Sequence, residues 1–172
     1  MICLGLHHAE DIAHRHTLAS HRAMADMAQA HAQSALLAPQ RCANRSHSRG
    51  VAGAVASDTA FRIGLDIEFV DLNRPWMKIL NYMHDGLGDV SAGDPAASCR
   101  VWTLYEAWYK AFGAFASRQT LADWLTMTPA PDMAYELGDG IFAWRTLWQG
   151  FEICIVWSGT DEQPDLRVVT GL

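Results

Sequence analysis

Three acidic side chains and one lysine fall into a pattern suited to a hard divalent cation and a phosphate-bearing ligand. Asp66 and Glu68 stand two residues apart in FRIGLDIEF, so on an extended strand both project from one face. Glu106 lies forty residues beyond Asp66, in a segment that reads as a helix, CRVWTLYEAWYKAF. If that helix crosses the strand, the three carboxylates form an oxygen-lined site. Magnesium suits such a site best, because it takes one or two carboxylates together with phosphate oxygens and retained waters. The same residues also have plainer readings. Asp66 and Glu68 fit a solvated sheet face, Glu106 and Lys110 a helix-surface ion pair at i and i+4, and Trp102, one turn before Glu106, a core anchor.

Ser46-His47-Ser48 reads as a loop just before a strand, where hydroxyls, backbone N–H groups and an imidazole can hold phosphate oxygens; the plain reading is a turn. There is no G-x-S-x-G and no acid partner for His47 in sequence, so acyl-enzyme chemistry is not indicated. Histidines crowd the front of the chain, at 7, 8, 14, 16, 21 and 31. His7, His14 and His21 are at heptad spacing and share a face if a helix begins that early. Neither an i, i+4 histidine pair nor H-E-x-x-H, with its acid between, occurs, so zinc is not suggested. Arg15 and Arg22 are likewise seven apart and suit either a phosphate or a solvated helix face.

These side chains need elements to hold them. From Ala9 to about Leu37 the chain lacks Gly and Pro, the composition of a helical arm. Residues 38–50 read as a loop and VAGAVAS as a buried strand. Asp58-Thr59-Ala60 then leads to FRIGLDIEF, which suggests a hairpin. In that second strand Ile63, Leu65, Ile67 and Phe69 share one face, with Arg62, Gly64, Asp66 and Glu68 on the other. Asn73 and Pro75 suit the start of a short helix through MKILNYM, followed by a Gly-rich loop from Gly86 to Gly93. Asp94-Pro95 opens the helix carrying Glu106, which closes near Gly113. A short helix around Leu121 to Leu125 follows, and then the strands MAYEL, IFAWRTLW, FEICIVW and LRVV, with turns at Gly138-Asp139-Gly140 and Gln149-Gly150. With no fixed-period repeat, the expectation is one α+β domain over 1–172, with a helical arm and loop over 1–45 and the motif-bearing region over 46–172.

Composition narrows the function. The 172 residues are 50% hydrophobic and 19% charged, which fits a buried core and argues against disorder. Thirteen Lys and Arg against nineteen Asp and Glu give a net charge of −6, so a general nucleic-acid binder is not expected. Cys3, Cys42, Cys99 and Cys154 form no C-x-x-C pair, and reduced thiols are the default. All seven Trp fall from position 76 onward, which places an aromatic core in the later part of the chain. No stretch reaches the roughly 18–20 apolar residues of a membrane-spanning helix. MICLGLHHAED lacks the basic start and apolar run of a signal peptide. A cytoplasmic protein without a membrane partner is the expectation.

Taken in order and at these separations, SHSRGVAGAVAS, IGLDIE and CRVWTLYEAWYKAFG resemble the motifs of the 4′-phosphopantetheinyl transferases of the surfactin-synthetase-activating type. The resemblance spans Ser46 to Gly113. It implies an α+β fold of two similar halves, an antiparallel sheet packed with helices, with the first half reduced here. It also implies transfer of the phosphopantetheinyl arm of coenzyme A to a serine of an acyl or peptidyl carrier protein, releasing 3′,5′-ADP. By motif position Asp66, Glu68 and Glu106 would be the magnesium ligands. Lys110 would meet the diphosphate, Ser46 and His47 would hold coenzyme A phosphates, and Arg15 and Arg22 would lie on the family's Arg-rich helix. Glu106 or Glu68 would take the serine proton.

Two departures stand beside the matches. Tyr105 occupies the position where the family has a lysine before the motif glutamate, which removes one cation but leaves a phenolic donor. The Gly-Lys-Pro-type loop that helps bind the 3′-phosphate and adenine is missing. Either the remaining arm suffices, or a second copy of the chain completes the site, or catalysis is weak and the chain serves as a carrier-protein-binding module. Hydrolysis of another nucleotide anhydride would use the same acids, but no water-activating arrangement is readable.

Overall fold

The structure is a computed structural model that describes residues 1–8, 18–90, 93–159 and 166–170. Two four-stranded sheets carry the chain. The first has the order β2-β3-β1-β8, from β1 (Ile2–His8), β2 (Cys42–Ser48), β3 (Val51–Ser57) and β8 (Leu166–Thr170). The second has the order β4-β7-β6-β5, from β4 (Arg62–Phe69), β5 (Met133–Gly138), β6 (Ile141–Trp148) and β7 (Phe151–Ser158). Every pairing is antiparallel except β1 with β8, which is parallel. The class is therefore α+β as expected, with two sheets in place of the single one anticipated.

Alternation explains which faces meet. Ile2, Leu4 and Leu6 of β1, Val51 and Val55 of β3, and Ile63, Leu65 and Ile67 of β4 join Phe142, Trp144, Ile153, Ile155 and Trp157 in one apolar cluster between the sheets. The opposite faces are covered by helices. Helix α1 (Leu18–Ser34) lies on the first sheet. On the second, α4 (Pro95–Phe112) and α5 (Arg118–Met127) bury Leu104, Ala107, Leu121 and Trp124 against Ala143, Cys154 and Val156. Between β4 and α4 run α2 (Trp76–Met83) and the short α3 (Leu87–Val90), the latter inside the expected Gly-rich loop.

Local signals set the ends. Asp94 caps α4 by accepting from the Ala96 N–H at 2.9 Å, Pro95 occupies its first turn, and Gly113 ends it at φ 70°. The Asp139-Gly140 and Gln149-Gly150 turns have positive φ at both residues, as two-residue hairpins require, and so does Arg49-Gly50 between β2 and β3.

Four expectations need correction. The front of the chain does not open on a helix: residues 2–8 are a strand, so His7 lies on β1 and shares no helix face with His14 or His21. His14 and His16 lie outside the described residues. Ser46-His47-Ser48 is strand, not loop. Asn73 does not cap α2; its N–H donates to Asp71 and Pro75 stands at the helix start. β3 and β4 form no hairpin, because β3 pairs with β1 and β2 while β4 pairs with β7. Ser57 turns the chain between the sheets by accepting from the N–H groups of Thr59 and Ala60.

β4 is an edge strand of its sheet, and its outward N–H groups are met by side chains. Asn44 Oδ1 accepts from Leu65 N at 3.2 Å, Ser46 Oγ from Ile67 N at 3.2 Å, and Glu68 Oε1 from Phe69 N at 3.1 Å. Alternate residues of β2 thus line the edge of β4 and close it to further strands.

The two halves repeat one arrangement: a strand, a crossing helix region, then an antiparallel hairpin, as β1-α1-β2-β3 and as β4 through α4 to β6-β7. The first has α1 where the second has α2 to α5.

Candidate functional site

Ser46, His47, Asp66, Glu68, Glu106 and Lys110 all line one open cavity of about 340 Å³, together with Arg45, Ile67 and Trp102. Three segments supply them: β2, β4 and α4. Gly64 lets this happen. A Cβ there would sit far inside contact distance of the Ala107 carbonyl oxygen and 2.6 Å from Ala111 N, so α4 rests directly on the β4 backbone. With the helix that close, Glu106 and Lys110 reach the carboxylate face of β4. That face is covered by protein and is not a solvated sheet surface.

Lys110 does not pair along its own helix with Glu106. Its ammonium donates to Asp66 Oδ1 at 2.7 Å, to Ser46 Oγ at 3.1 Å and to Leu65 O at 3.1 Å. Ser46 Oγ in turn donates to Asp66 Oδ1 at 3.0 Å. Ser46 is buried and Asp66 only 6% exposed. Burial pushes the Asp66 carboxyl up from 3.8 to about 6; Lys110 and Ser46 pull it back, and the charge of Glu106 adds to the rise. All of these hydrogen bonds fall on Oδ1, which leaves Oδ2 as the oxygen that carries none of them.

Glu68 is held differently. Its Oε1 accepts from Ser48 Oγ at 2.9 Å, and its Oε2 pairs with Arg74 Nη1 at 2.8 Å. Arg74 lies over the faces of Trp76 and Trp102, 4.6 and 5.3 Å from the ring centres. Across the ladder Glu68 stands opposite Glu152. Two carboxylates in that position repel, and each has its own arginine: Arg74 for Glu68, and Arg145 for the buried Glu152 through bonds of 2.5 and 2.7 Å.

The donor set of Asp66, Glu68 and Glu106 is all oxygen and suits a hard cation. As the side chains stand, two of the three acids are paired with cations of the chain. Among the described residues, no three His, Cys, Asp or Glu side chains are close enough together to hold a metal ion. A metal taking Asp66 Oδ1 or Glu68 Oε2 would have to displace Lys110 or Arg74 from that oxygen, whereas Asp66 Oδ2 carries neither.

Other expected residues lie elsewhere. Arg22 is exposed on α1 and does not line the cavity, and Arg15 lies outside the described residues. Tyr105 is turned into an aromatic stack, 4.4 Å from the Phe115 ring and 6.1 Å from that of Trp102, so its place in the chain gives no phosphate donor in the cavity. Two residues were missed: Arg45, which lines the cavity and pairs with Asp26 of α1, and Arg74. Strand alternation through Asn44, Ser46 and Ser48 was the signal for Arg45; Arg74, between Asn73 and Pro75, was hidden in what read as the start of a helix.

None of the four cysteines forms a disulfide. Among the described residues, no helix is long and apolar enough to cross a membrane. Compared with known proteins, the chain matches no family model and no curated protein.

Proposed function

We propose that the chain is a magnesium-dependent 4′-phosphopantetheinyl transferase that moves the phosphopantetheinyl group of coenzyme A onto a serine of an acyl or peptidyl carrier protein. The observation that carries this reading is the shared cavity. Residues of three motifs, up to 64 positions apart in the case of Ser46 and Lys110, line one space able to take a diphosphate.

Asp66, Glu68 and Glu106 would hold the magnesium, which supplies neutralising charge for the diphosphate. Lys110 already uses all three ammonium hydrogens. It reaches a phosphate oxygen by exchanging one protein acceptor for it, and Arg45 and His47 meet the same anion from the β2 side. The carrier serine oxygen bonds to the phosphorus next to the pantetheine arm as the bridging P–O bond breaks, and 3′,5′-ADP leaves with the bridging oxygen. The serine proton passes to Glu106, the acid of the three that neither Lys110 nor Arg74 pairs with.

The test is incubation with magnesium, coenzyme A and an apo carrier protein, followed by intact mass. Gain of one phosphopantetheine is expected; no gain on any of a panel of carriers would refute the reading.

One observation favours a second reading, a catalytically weak homologue that binds carrier proteins: two of the three acids, Asp66 and Glu68, are occupied by the chain's own cations. Calorimetry separates the two. The transferase binds coenzyme A more tightly with magnesium than without, whereas the binding module takes the carrier alone, indifferent to both.

A further inference from the structure

The repeat of strand and helix leads to a second pair of chemical groups. In the later half, Gly64 of β4 lies against Ala107 O and Ala111 N of α4. In the earlier half, Gly5 of β1 meets α1 in the same way: its Cβ would collide with Ala28 O and lie 3.1 Å from Ala32 N. Glycine against two helix residues four apart fixes the same crossing twice. Residues in matching places are then counterparts across the two contacts. Asp66 is two beyond Gly64 and Lys110 three beyond Ala107; their counterparts are His7, two beyond Gly5, and His31, three beyond Ala28. Lys110 and Asp66 meet at 2.7 Å.

A separate observation singles out the same two residues. His7 Nδ1 and His31 Nδ1 are both buried and both lack a hydrogen-bond partner. A buried ring nitrogen without a partner is costly, and here one occurs on each side of the strand–helix contact. Neither side chain as a whole is fully buried, so a small ion has a way in.

We infer that His7 and His31 form a two-imidazole site for a divalent transition-metal ion of the zinc type, with water completing its shell. Imidazole nitrogen suits such ions and not magnesium, so this site is chemically distinct from the carboxylate cavity and independent of the reading proposed for it. The linear spacing of the histidines conceals it, because the partners come from a strand and a helix 24 residues apart.

Zinc titration of the full chain by calorimetry tests the inference, with thermal melting alongside. The wild type should bind zinc and melt at a higher temperature with it. His7→Gln and His31→Gln should each weaken the tightest zinc binding at least tenfold, while Asp66→Asn leaves it unchanged. Because either single variant can misfold, His7→Asp/His31→Lys serves as the second arm. It copies the pair of the other half, and should fold, melt cooperatively and lose the zinc-induced shift. No zinc binding by the wild type, a loss smaller than tenfold in either folded single variant, or a retained zinc shift in the exchanged pair overturns the inference.

Discussion

Lys110 and Asp66, on α4 and β4, form a 2.7 Å ion pair in which the ammonium has given all three of its hydrogens to protein oxygens. The pair locks helix to strand and at the same time keeps the cavity's central cation occupied. Replacing Lys110 by Met strips Asp66 of its cation and Leu65 O of a donor. The expected loss is about 3 kcal/mol at pH 8. It should be smaller at pH 5, where the carboxyl is protonated. Urea unfolding at the two pH values measures it.

Asp66 gives a pH signature of its own. Its carboxyl is raised from 3.8 to about 6, so the folded state holds this proton more tightly than the unfolded chain. That contribution to stability is full below about pH 4 and is lost as pH rises through about 6. Asp66→Asn cannot titrate. Its stability relative to wild type should improve by up to about 3 kcal/mol between pH 4 and pH 7.5, two pKa units at about 1.4 kcal/mol each. A flat difference over that range would contradict the assignment. If the chain is the transferase proposed, Asp66→Asn should abolish carrier modification.

Gly64→Ala forces α4 off β4, since the new methyl meets helix backbone and not a flexible side chain. Destabilisation of about 3 kcal/mol is expected, seen as a melting temperature lower by about 10 °C. Because Glu106 and Lys110 move with the helix, activity should fall further than stability explains.

Arg74→Gln releases Glu68 from its cation and empties the space between Trp76 and Trp102. Magnesium affinity should rise several-fold by calorimetry, with a change in tryptophan emission. Unchanged affinity would mean that Glu68 is not a ligand.

How much of this the sequence discloses depends on what made each residue polar. β4 was legible from alternation alone, because Ile63, Leu65 and Ile67 face the other sheet. That its acidic face lies under a helix was not, although Gly64 is the mark of the close approach. Asn44, Ser46 and Ser48 look like loop residues, yet they are polar because they bond β4 and its Glu68. Proximity in the chain suggested a β3–β4 hairpin; pairing across long separations, β1 with β3 and β4 with β7, prevailed. β1 escaped notice because seven residues ending in two histidines blend into the polar segment after them.

The parallel pairing of β8 with β1 bears on how the molecule is made. During synthesis, one side of the opening strand keeps its backbone groups unanswered until residue 170 has left the ribosome. A nascent chain halted before residue 166 offers that side to any passing strand, and chains that include residues 166–170 should be markedly less prone to clump than chains stopped there.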